Sequence, residues 1–331
     1  MRALIIGITG FVGSHLAEYL LSKGVEVGGY YEPLDDLDTI IKIKDKISLI
    51  GSCVRDAIRS EPDFIFIMEP QKVAPGSNPY YVYGFDVNIT GTLYIFDYIR
   101  YLNHNPIIIL AGSSEEYGSP PLIEVREMSG FMGGPERVKV NHTPKKVLKL
   151  PITEDFSLNP ISIHGASKAA QDMLGYAYYK ELGMKIIRTR AFDITGEGDQ
   201  SSTASDIARQ IVEIEKGNIK ELKVSSREIY KDFVDVRDVV KAYWLAATRG
   251  KPGEAYNVCS GKARSVQSVI DALRMQSTAQ FEIIEDKTLL KVSDVPAIQG
   301  DHSKLSKLTD WKPEVGFAQT MGDLLDYWRN N

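Results

Sequence analysis

Short apolar runs at residues 3–8, 25–30, 64–68, 107–111 and 185–190 recur along the chain with helix-patterned stretches between them. Strands that alternate with helices in this way form βαβ units and a parallel sheet. The runs are apolar throughout rather than alternating, as strands covered by helices on both faces must be. The expected fold class is therefore α/β, a doubly wound parallel sheet. Between the first two runs, Val12, Leu16, Ala17, Leu20 and Leu21 recur at helical spacing, and Gly24 follows as a C-cap signal.

Two further helices, at about 87–102 and 167–182, carry apolar residues around much of their circumference, among them Leu93, Phe96, Tyr98, Ile99, Met173, Leu174, Tyr178 and Tyr179. Such helices need cover on two sides. The sheet supplies one side, and a second copy of the chain, a homodimer, is the expected other. After residue 193 the pattern loosens, although 256–258 reads as one more strand returning to the sheet. The expected division is a nucleotide-binding domain over 1–192, with a returning segment at about 229–260, and a smaller C-terminal substrate-capping domain over 193–331.

The loop Gly7-Ile8-Thr9-Gly10-Phe11-Val12-Gly13 follows a strand and opens a helix. In that context glycines permit a tight turn and close backbone approach, while the helix N-terminus offers unpaired N–H groups to a pyrophosphate. Gly7, Gly10, Phe11, Val12 and Gly13 are thus candidate dinucleotide-binding residues. Glu32, at the end of the second strand, falls where an acidic residue meets a ribose diol and repels a 2′-phosphate. NAD is the expected cofactor, ahead of NADP.

The 331 residues carry 39 Lys and Arg against 44 Asp and Glu, a net charge of −5, so no overall positive field favours nucleic acid. The longest apolar runs fall far short of the roughly 20 residues of a membrane helix, and the first residues read as a strand rather than a leader. A cytoplasmic protein is expected. Cys53 and Cys259 have neither metal-ligand nor CxxC spacing and are expected as buried small hydrophobes; no metal is implied. Residues 119–150 form a long connection rich in glycine, proline and basic residues. It reads as a surface excursion, or as a lid bringing Arg137, Lys139, Lys145 and Lys146 to a phosphate-bearing ligand.

With the glycine loop in place, Ser113-Ser-Glu-Glu-Tyr-Gly118 and His164-Gly-Ala-Ser-Lys168 make the chain resemble the extended short-chain dehydrogenase/reductases, over nearly its whole length. The runs at 112–118, 167–192, 231–244 and 256–261 are most similar to those of GDP-4-keto-6-deoxymannose reductases and GDP-mannose 4,6-dehydratases. The resemblance implies a Rossmann domain and hydride exchange between a nicotinamide and C4 of a GDP-linked hexose. In that family a YxxxK motif supplies a tyrosine that exchanges a proton with the sugar O4 and a lysine that assists it and holds the nicotinamide ribose. The resemblance gives Lys168 the lysine's role and Ser113 the hydrogen bond to O4. It gives Glu115 the C5 acid/base position of the dehydratases, and Ser114 the place of an aspartate in some sugar dehydratases.

Several positions depart from the family. His164 stands where the tyrosine is expected; an imidazole is shorter than a phenol and titrates near ~6.5 rather than ~10. Beside Lys168 it is expected to be mostly neutral, able to act as a base directly or through a water. Glu69 falls beside the dinucleotide, and Gly51-Ser52-Cys53 lacks the aspartate usual near the adenine. Asp193 replaces an asparagine that binds the nucleotide diphosphate, where an anion repels it. Lys231 replaces an arginine and loses the bidentate fork. Arg209 and Arg237 are further candidate phosphate contacts, or else surface salt bridges. Three readings stay open: a reductase of this kind, a dehydratase or epimerase with the same site, or a nucleotide- or nucleotide-sugar-binding protein with impaired catalysis.

Overall fold

The chain was analysed as a computed structural model describing residues 1–32, 35–51, 53–68, 80–125, 145–292 and 294–331, at 80–81, 83, 122–125 and 145–147 by backbone only. Its central sheet has seven strands: β1 (Arg2–Ile6), β2 (Glu26–Tyr30), β3 (Ser48–Ile50), β4 (Phe64–Ile67), β5 (Ile107–Ser113), β6 (Ile186–Ala191) and β7 (Ala255–Val258). They lie in the order 3-2-1-4-5-6-7, and every pairing is parallel. This is the Rossmann order with one strand added, and it reverses between β1 and β4. The runs read from sequence thus all become strands of one sheet, shifted by a residue or two at their ends.

Helices cover both faces: α1 (Phe11–Ser22), α2 (Thr92–Tyr101), α3 (Ile163–Leu182) and, later in the chain, α5 (Val236–Arg249), after α4 (Thr203–Glu215). The strand pleat divides the core. Ala3 and Ile5 of β1 are buried with Leu16 of α1 and Val239 and Tyr243 of α5. Leu4, between them, is buried on the other side with Phe96 and Ile99 of α2. Alternate residues of one strand entering two separate cores explain why the run is apolar without a break. Before α2, a helix over Tyr80–Phe85 and a π-helical turn over Asp86–Gly91 extend the stretch expected at 87–102.

A separate core joins α4, α6 (Val266–Arg274) and α7 (Phe317–Asn330), with Ile207, Ile211, Val269, Leu273, Met321 and Leu324 buried together. The chain passes between the two layers more than once: α5 and β7 belong to the sheet, and Leu305 and Trp311 are buried in the sheet's core. Cys259 is buried, but Cys53 is only half-buried, its sulfur 3.5 Å from Arg55 Nε, which corrects the expectation that both are core hydrophobes. Glu69, Ser52, Arg137 and Lys139 lie outside the described residues, as does most of the expected lid, while Lys145 and Lys146 are described by backbone only.

Candidate active site

A cleft of about 1580 Å³ opens at the carboxyl ends of the strands, beside the reversal of strand order. Its lining includes Thr9 beyond β1, Met68 beyond β4, Ser113 at the end of β5, Asp193 beyond β6 and Arg209 of α4. A pocket for one small ligand spans roughly 300–1,000 Å³, so the cleft has room for two ligands side by side.

One end is built by the glycine loop. Gly7 has φ +82°, a left-handed conformation that a side chain would strain, and its carbonyl accepts from Gly10 N at 3.1 Å. A Cβ on Gly13 would overlap the Gly7 carbonyl oxygen, so helix and turn touch backbone to backbone. Gly10 caps α1 with no side-chain hydrogen bond, and the amides of the first turn are left to an external acceptor. Phe11 and Val12 line the cleft. A tight turn, close approach and uncapped amides are what a dinucleotide pyrophosphate requires, and these residues fit that group.

At the end of β2, Glu32 accepts a hydrogen bond from Tyr30 Oη at 3.0 Å and is not part of the cleft lining. Asp35, which sequence reading missed, is closer to the loop: its Oδ2 accepts from Thr9 Oγ1 at 2.7 Å and from Glu32 N at 3.0 Å. Asp36, Asp38 and Lys42 line the cleft next to it. The sequence signal was the acidic spacing 35, 36, 38 after the second strand.

The centre of the cleft brings together Ser113, Ser114, Glu115, His164 and Lys168. Ser113 ends β5 and caps a 3₁₀ turn over Ser114–Tyr117, its Oγ accepting from Glu115 N at 3.2 Å. Beneath it, buried Glu116 accepts from Ser113 N at 2.7 Å and lies 3.2 Å from Arg190 Nε, which also pairs with Asp172. Burial and Asp172 push the Glu116 carboxyl upward, against the pull of Arg190. Lys168 is buried, with Nζ donating to Ala111 O at 2.9 Å. His164 lies one turn earlier on α3, Nδ1 3.5 Å from Glu115 Oε2. A carboxylate thus stands beside the imidazole. Burial raises the Glu115 carboxyl, but His164, Ser162 and Lys231 outweigh it and hold it below the usual carboxylate range.

Toward the capping side, Lys231 Nζ lies 3.5 Å from Asp193 Oδ1 and 3.4 Å from Asp294 Oδ1. Asp193, and after it Asp294, hold the ammonium up against burial. Burial, with Glu115 adding to it, raises Asp193. Asp193 thus faces a lysine instead of standing as a bare anion, and Lys231 is engaged by two carboxylates. Arg209 reaches the cleft while paired with Asp206 at 2.6 Å. Arg237 is not part of the lining: it pairs with Asp235 at 2.8 Å and Asp323 at 2.7 Å, the salt-bridge alternative of the two readings rather than the phosphate contact. Among the described residues no helix is long and apolar enough to cross a membrane.

Comparison with known proteins adds to this geometry. GDP-6-deoxy-D-mannose reductase of Pseudomonas aeruginosa is 24% identical over 99% of this chain and 97% of its own length. GDP-mannose 4,6 dehydratase 1 of Arabidopsis thaliana is 25% identical over 98% of this chain and 88% of its own. The structure of RMD from Pseudomonas aeruginosa complexed with NADPH superposes with a TM-score of 0.76 at 23% identity, covering 100% of this chain and 99% of that one. Residues 3–259 match the model of the NAD dependent epimerase/dehydratase family. With the Rossmann order, the glycine loop and a large cleft at the switch point, the chain belongs to the NAD-dependent epimerase/dehydratase family.

Proposed function

We propose that the protein is an NAD(P)-dependent nucleotide-sugar reductase acting at C4 of a GDP-linked hexose, like GDP-4-keto-6-deoxymannose reductases. The observation that carries this reading is the gathering of Ser113, Glu115, His164 and Lys168 in one cleft with the glycine loop. The loop amides at Phe11, Val12 and Gly13 would hold the dinucleotide pyrophosphate, and the bound cofactor would supply or take up hydride. Ser113 orients the sugar O4 by a hydrogen bond. His164 exchanges a proton with that oxygen, and Lys168 holds the nicotinamide ribose. Asp35, Asp36 and Asp38 favour NAD, since carboxylates near a 2′-phosphate repel it.

Reduction is favoured over dehydration, because Glu115, the dehydratases' acid/base position, is engaged by Ser162 and His164. Arg209, Lys223 and Lys291, which line the cleft, would meet the nucleotide diphosphate. The exposed Tyr94 of α2 and Met173 and Tyr176 of α3 form the face of a homodimer, and the protein works in the cytoplasm. His164 in the place of the family's tyrosine favours a second reading, a nucleotide- or nucleotide-sugar-binding protein with impaired catalysis. Assay of 4-keto sugar reduction by loss of NADH absorbance separates the two. Wild-type turnover that rises about tenfold or more in His164→Tyr is expected; no turnover in either protein overturns the enzyme reading.

A further inference from the structure

Replacing a tyrosine by histidine at a proton-exchanging position creates a difficulty that a phenol does not have. A phenol has a single O–H, whereas a neutral imidazole has two nitrogens and places its proton on either one. Useful exchange at one nitrogen requires the other to be fixed by an acceptor.

The chain carries such an acceptor. Glu115 Oε2 lies 3.5 Å from His164 Nδ1 and accepts a short hydrogen bond from Ser162 Oγ. Ser162 is the N-cap of α3, and its Oγ accepts from Gly165 N at 2.9 Å, so its hydroxyl proton is directed at the carboxylate. The two backbone segments also lie close together: a Cβ on Gly165 would stand 2.6 Å from the Glu115 carbonyl oxygen. The 3₁₀ turn carrying Glu115 and the helix start carrying Ser162 and His164 therefore meet backbone to backbone, an approach that glycine at 165 permits.

We infer that Ser162 and Glu115 are positioning residues for His164, the carboxylate accepting a hydrogen bond from Nδ1–H so that Nε2 exchanges the proton with the sugar oxygen, and that Glu115 does not act at the sugar C5. This rests on the reading of the site as a C4 reductase. The depressed Glu115 carboxyl agrees with it, since an ionised acceptor is what the device needs. Proton balance is simple: one proton passes from imidazolium Nε2 to the sugar oxygen in reduction, and solvent restores it.

The test compares Glu115→Gln and Ser162→Ala in the native background and in His164→Tyr, measuring kcat, KM and the pH profile of sugar reduction. In the native background Glu115→Gln is expected to lower kcat about 10–100-fold, change KM little and move the pH profile. Ser162→Ala should show the same pattern to a smaller degree. With tyrosine at 164, both changes should cost less than about twofold, because a phenol needs no tautomer selection. Equal losses in the two backgrounds overturn the inference and return Glu115 to the substrate. Isotope-edited NMR of the imidazole nitrogens supplies a readout independent of turnover. A proton on Nδ1 in the wild type that becomes shared between the nitrogens in Glu115→Gln supports the device, and an Nε2-protonated ring in the wild type overturns it. If no variant reduces any GDP-sugar, the reductase reading fails while the NMR result still decides the Glu115–His164 relation.

Discussion

On the side of the cleft proposed for the dinucleotide, the candidate binding groups are backbone amides, set by the turn at Gly7 and the closeness of Gly13 to the Gly7 carbonyl. On the side proposed for the sugar nucleotide the candidates are charged side chains, and there Lys231 lies between Asp193 and Asp294 while Arg209 is paired with Asp206. The difference has a physical root. Amides at a helix N-terminus keep their partial charge whatever side chains surround them, whereas a lysine's field is cancelled by one nearby aspartate. A family can therefore change its substrate side by single substitutions while its cofactor side stays readable in the glycine spacing.

The largest expected effect breaks the site where the halves meet. Lys168→Ala should lower 4-keto sugar reduction by about a thousandfold, within the range of positioned proton-transfer groups, with the folded state retained by circular dichroism. Next, Gly13→Ala forces a methyl group into the Gly7 carbonyl. NADH affinity in a fluorescence titration should fall by at least about tenfold, and nucleotide-sugar affinity by far less. Asp193→Asn acts in the opposite sense on the other half: freeing Lys231 of one carboxylate should tighten GDP binding about 3–10-fold, up to ~1.4 kcal/mol.

The smallest effect concerns pH. The Glu115 carboxyl titrates lower in the folded chain than its ordinary value, so its contacts contribute stability above about pH 4.3, and that contribution fades as pH falls through the depressed folded value. Melting temperatures of the wild type and Glu115→Gln, followed downward from neutral pH, should converge in that acidic window. A gap that stays constant would mean that the carboxylate's charge contributes nothing to the fold.

What the sequence made legible follows the same division. The strands were readable because burial on both faces demands apolar runs, and the glycine loop because turn, approach and helix start lie within seven consecutive residues. Lys168 was found through a local motif. The pairing of Asp193, Lys231 and Asp294 was not readable, since it joins three distant segments that only the fold brings together. Hence Asp193 was expected to repel a diphosphate and Lys231 to attract one. The support under Ser113 is of the same kind: Glu116, Arg190 and Asp172 come from a turn, a strand and a helix that meet beneath the sheet's edge of the cleft. Ser162 passed unnoticed because a helix N-cap serine is common, and its second hydrogen bond to Glu115 has no sequence pattern.

The most direct test of the central claim is calorimetric titration of the purified, cofactor-stripped protein with NADH, NADPH, GDP and GDP-mannose, alone and in Asp193→Asn. NADH is predicted to bind more tightly than NADPH, and both GDP ligands to bind detectably, more tightly in the variant. Binding of GDP-mannose with no binding of either dinucleotide would contradict the account, and would leave the glycine loop as a retained piece of fold rather than a working cofactor site.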